Sequence, residues 1–81
     1  MRRYLFDTGI KLIMRQVILT PGEDGYWVAE VPSLPGCISQ GKSREDALTN
    51  IKEAIEGYIA ALKDDGIPVP EENFEVLVAV V

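Results

Sequence analysis

The longest regular pattern in the chain runs from Ser43 to Gly66. Ala47, Leu48, Ile51, Ala54, Ile55, Tyr58, Ile59 and Leu62 recur at spacings of three and four. Glu45, Lys52, Glu53, Glu56 and Lys63 take the opposite side. This is the periodicity of an amphipathic helix with one apolar stripe. Ser43 supplies an N-cap, with Asp46 at the position where a Glu or Gln usually completes the capping box. Gly66, after Asp64-Asp65, gives a left-handed stop, and Pro68 prevents the helix from resuming. The pattern predicts a helix over about residues 44–64.

Three strands are predicted before it. Arg15 to Thr20 is rich in β-branched residues, and Pro21-Gly22-Glu23-Asp24-Gly25 is turn chemistry. Tyr26 to Val31 continues the pair as a hairpin. Pro32-Ser33-Leu34-Pro35-Gly36 breaks the chain again, with Pro35-Gly36 suited to a type II turn. Cys37 to Gln40 is a short third strand released by Gly41. After the helix, Phe74 to Val81 reads as a fourth strand. The expected class is therefore α+β, ordered β-β-β-α-β, with the helix packed on one face of a small mixed sheet. Residues 14–81 form the domain. Residues 1–13 form an extension in which Tyr4, Leu5 and Phe6 could cluster on a short helix while Ile10 to Met14 read partly extended; an extra N-terminal helix is the expectation. Met14 is a second conceivable start beside Met1.

Two strand patterns point to association. In the second strand Trp27, Ala29 and Val31 face one way, and Tyr26, Val28 and Glu30 the other. A single helix covers only one side. The last strand, Val76 to Val81, is apolar on both faces, which is usual for strands buried on both and hazardous for an open edge. A homodimer or higher homo-oligomer resolves both features; cover by residues 1–13 is the rival, and exposed apolar surface favours the oligomer. Tyr26, Trp27, Glu30, Val76, Val78 and Val80 are accordingly the candidate protein-interface residues.

Composition narrows the chemistry. The 81 residues make one domain, and the absence of histidine removes the commonest general base and metal ligand together. One cysteine permits no disulfide within the chain and suits a reducing cytoplasm. Cys37 has no neighbouring base or cation cluster and reads as a small buried hydrophobe. The net charge of −5 is unevenly spread: Arg2, Arg3, Lys11 and Arg15 oppose Asp7 in the first twenty residues, while four cations oppose twelve acids in the rest. An acidic body repels nucleic-acid phosphate and attracts basic partners.

For the same reason Tyr26 and Trp27 are poor candidates for base-stacking platforms, which sit in basic grooves. Asp24, Glu30, Glu45, Asp46, Glu53 and Glu56 could be read as a metal-dependent nuclease set, but most fall on a helix face or in a turn, which is the pattern of a solvated surface. The glycines never form a phosphate-binding pattern. The longest apolar run is far short of the ~20 residues that span a bilayer. No catalytic, cofactor or metal residue is assigned.

The stretch YWVAEVPSLPGCISQGKSREDALTNIKEAI, Tyr26 to Ile55, resembles the HicB family of type II antitoxins. The resemblance rests on VPSLPGC at Val31 to Cys37, on Ser39, Gly41 and Ser43, and on Glu45, Ala47 and the EAI at Glu53 to Ile55, and covers roughly residues 15–80. It implies a partial ribonuclease-H-like fold in which the fourth strand returns beside the first. It also implies a non-catalytic antitoxin whose partner is a HicA-type toxin, a small basic ribonuclease that cleaves mRNA. Many HicB proteins continue into a DNA-binding segment; this sequence ends at Val81, and direct nucleic-acid binding is not expected. Position 33 is Ser where the family often has Asp, a change of little expected consequence because both can brace a turn. The alternative is a solitary HicB-like homodimer with a binding or regulatory role and no toxin.

Overall fold

The computed structural model of the protein describes residues 14–81. The helical extension expected for residues 1–13 lies outside the described residues. Three strands, β1 (Ile18–Pro21), β2 (Trp27–Glu30) and β3 (Ile38–Gly41), precede one helix, α1 (Arg44–Asp64). The strands form an antiparallel sheet in the order β1-β2-β3. The α+β class holds, and the helix packs on one sheet face.

Local chemistry accounts for each junction. Between β1 and β2 a 3-10 turn spans Glu23–Gly25, with Asp24 and Gly25 both at positive φ. The Gly22 N–H donates to the Tyr26 carbonyl at 2.7 Å and closes the hairpin. Between β2 and β3 two turns follow one another. The Leu34 N–H donates to the Val31 carbonyl, and the Cys37 N–H to the Leu34 carbonyl at 2.9 Å. Gly36 at φ +84° follows Pro35, as a type II turn requires.

Ser43 caps α1, its hydroxyl accepting from the Asp46 N–H at 3.0 Å. At the other end Gly66 has φ +69°, the Ile67 N–H donates to the Leu62 carbonyl, and the Gly66 N–H to that of Lys63. That pair of bonds is the Schellman termination.

The core consists of Ala29, Val31, Leu34, Cys37, Ala47 and Ile51, fringed by half-buried Val17, Leu19, Trp27, Ala54, Ile55, Tyr58 and Ile59. Cys37 is a core residue, and burial pushes its thiol pKa up. The helix lies over β3 and β2 rather than β1. Of the predicted stripe, Leu48 turns out of the core and is exposed.

The predicted fourth strand is corrected. Residues 74–81 form no ladder among the described residues, and the sheet is purely antiparallel rather than mixed. Leu77, Val78, Val80 and Val81 stand almost fully exposed. The run has the composition of a strand, but a strand exists only through its pairing, and composition names no partner.

Candidate protein interface

Registry decides which side chains share a face. Ile18 and Ile38 both lie opposite Glu30, and Thr20 and Gln40 both lie opposite Val28. These residues form the sheet face away from the helix, which Tyr26 joins by alternation. Glu30 is exposed there between two isoleucines, of which Ile38 is 56% exposed. Aliphatic surface around a single carboxylate is suited to a partner with a basic side chain set in apolar surroundings.

Trp27 belongs to the opposite face. It packs against the core, and the Arg44 guanidinium sits 5.2 Å from its ring centroid. So of the candidate interface residues, Glu30 lies on the open face, which Tyr26 joins by alternation, and Trp27 lies on the helix face. Val76 is half-buried, while Val78 and Val80 project from the C-terminal arm.

Sequence reasoning missed Glu72. It is 7% exposed, the one buried charged residue among those described. Its Oε1 accepts from the Gln16 N–H at 3.0 Å and the Ser33 hydroxyl at 2.8 Å; Oε2 accepts from the Phe74 N–H at 2.8 Å. Arg15 donates to the same Ser33 oxygen at 3.2 Å. Burial alone would raise the carboxyl pKa, but the two backbone N–H groups, the Ser33 hydroxyl and the Arg15 charge outweigh it and hold the pKa below its usual value. Glu72 thus ties the chain after the helix to the start of β1 and the turn after β2. Ser33 is more than a turn brace, because its hydroxyl both donates and accepts here, which an ionised Asp could not do.

Among the described residues no three Cys, Asp or Glu side chains converge as a metal cluster would require, and no helix is long and apolar enough to cross a membrane. The fold and surface together define a two-layer α+β domain with a helix-covered face and an open face that is part apolar, part acidic.

The chain belongs to the HicB-like antitoxin family: the family's sequence model, described as a HicB-like antitoxin of bacterial toxin-antitoxin systems, matches residues 16–79. It is 54% identical over 59 residues to a UPF0150 protein of Thermoplasma acidophilum, covering 73% of this chain and 86% of that one. It is 56% identical over 48 residues to a UPF0150 protein of Helicobacter pylori, covering 59% and 65% of the two chains. A UPF0150 protein of Synechocystis is 47% identical over 60 residues, covering 74% and 76%.

Proposed function

We propose that this protein is a non-catalytic, cytoplasmic antitoxin that binds a small, basic, mRNA-cleaving toxin of the HicA kind and occludes its active surface. Family membership carries the reading. The net charge of −5 and the open face with Glu30 between Ile18 and Ile38 support it. A ribonuclease must present positive potential to bind RNA, and an acidic partner competes for that surface. Tyr26 and Glu30 are the residues proposed to meet the toxin.

Co-expression with a short basic reading frame encoded beside the gene tests this. Rescue of growth and co-purification of a salt-sensitive complex are expected. Glu30→Lys is expected to weaken that complex at least about tenfold by setting like charges together. Failure of the wild-type chain to bind or to rescue would dismiss the toxin as its partner. A second reading, a homo-oligomer with a binding role and no toxin, is favoured by the bare apolar arm at Leu77–Val81.

A further inference from the structure

β3 is an edge strand of the sheet. The Val31 N–H donates to the Cys37 carbonyl, so the odd-numbered residues of β3 bond towards β2. The N–H and C=O groups of Ile38 and Gln40 therefore point away from the sheet. A row of such groups is a template for a strand from another chain. Ile38 is β-branched and its side chain is exposed, so nothing about that residue discourages pairing.

One position in the row is filled from the helix. The Asn50 side-chain amide donates to the Gln40 carbonyl at 2.8 Å. Asn is a poorer helix former than Ala, and position 50 lies in the interior of α1 with its side chain exposed, so helix propensity does not account for it. Asp46 and Glu53, four residues before Asn50 and three after it, share its flank of the helix, and both are exposed. A strand laid along β3 would have to displace the amide and bring its own backbone beside two carboxylates. The chain then enters α1 at Ser43, which ends the row. Among the described residues, what is left open is the N–H and C=O of Ile38 and the N–H of Gln40. That is one complete residue of an antiparallel ladder, too little to hold a strand in water.

We infer that Asn50 blocks the β3 edge: its amide, with the carboxylates of Asp46 and Glu53 beside it, denies that edge to strands of other chains. The consequence is specific. Edge-to-edge addition at β3 joins unlike surfaces and does not close, which is the geometry of a filament. Occupying a single carbonyl from α1 removes that route while leaving the open sheet face uncovered for a partner. The inference stands apart from the toxin reading and from the apolar C-terminal arm.

The test uses the full chain. Asn50→Ala and Asn50→Asp both remove the donor to Gln40, and Asn50→Ala is expected to retain helical circular dichroism because Ala is the better helix former. By light scattering at high protein concentration, Asn50→Ala is expected to exceed the wild-type mass at least about twofold. In the assembled fraction the Ile38 and Gln40 amides are expected to become protected from hydrogen exchange. Asn50→Asp is expected to keep the wild-type mass, because a carboxylate beside the Gln40 carbonyl still repels an incoming strand. An Asn50→Ala chain that melts lower but stays at wild-type mass would make Asn50 a fastening between helix and sheet and overturn the inference. So would assembly of Asn50→Asp to the same extent, or assembly in which the Ile38 and Gln40 amides exchange as freely as in the wild type.

Discussion

Gly41→Ala is expected to destabilise the domain by about 3 kcal/mol, the upper end for inserting atoms into a closed contact. A Cβ there would lie 2.4 Å from the Ala47 nitrogen, 2.6 Å from the Asp46 carbonyl carbon and 2.8 Å from the Asp46 Cβ. None of these is the free end of a flexible side chain. They form the first turn of α1, which the Ser43 cap and an Asn50 side-chain bond to the Gln40 carbonyl at 2.8 Å hold against β3. Relief requires lifting the helix start off the sheet and uncovering Ala47 and Ile51. For a domain of this size the loss corresponds to roughly 15 °C in melting temperature. Thermal unfolding followed by helical circular dichroism measures it. Gly57→Ala is the control: nothing lies within 4 Å of its Cβ position in the helix interior, so it should raise stability by up to about 1 kcal/mol. Equal melting temperatures for the wild type and Gly41→Ala would refute the close-approach account.

Glu72→Gln should cost about 2 kcal/mol at neutral pH. One of the two carboxylate oxygens becomes an NH2 group, which must face either the Phe74 N–H or the Gln16 N–H and Ser33 hydroxyl, donor against donor. The pH dependence follows from the direction of the shift. The folded pKa lies below the usual 4.5, so the unfolded chain takes up the proton first. The stabilisation is complete above the unfolded value and is lost as pH falls through the folded one. Urea unfolding at a series of pH values should therefore show the wild type converging on Glu72→Gln below about pH 4.5. A difference that stays constant with pH would mean that the carboxylate charge contributes nothing to the clamp.

These two residues also mark where reading the sequence stops. The helix limits, the Ser43 cap, the Gly66 termination, the hairpin at Pro21–Gly25 and the Pro35-Gly36 turn were all legible, since each depends on backbone preferences and bonds within five residues. The faces of β2 were legible for the same reason, because alternation is local. Leu34 looked like part of a turn, yet it is fully buried and sits between two turn hydrogen bonds, with the Tyr58 hydroxyl tied to the next carbonyl at 2.8 Å. Of the candidate site, Glu30 was legible as a carboxylate set in a strand. Its two isoleucine neighbours were not, because they come from opposite edges of the sheet.

Glu72 shows the difference most plainly. In the chain it is one of three acids, with Glu71 and Glu75, in a short polar stretch before the arm, and nothing adjacent distinguishes it. Its partners lie 39 and 56 residues away. The linear pattern was enough for the α+β class, the element order as far as the helix and the acidic character of the body, because periodicity, capping and charge are carried by neighbouring residues. Which acid is buried, which glycine admits the helix and whether Val76–Val81 becomes a strand were decided in three dimensions. Burial and strand pairing are energies of contact between remote segments, and they have no value until both segments are in place.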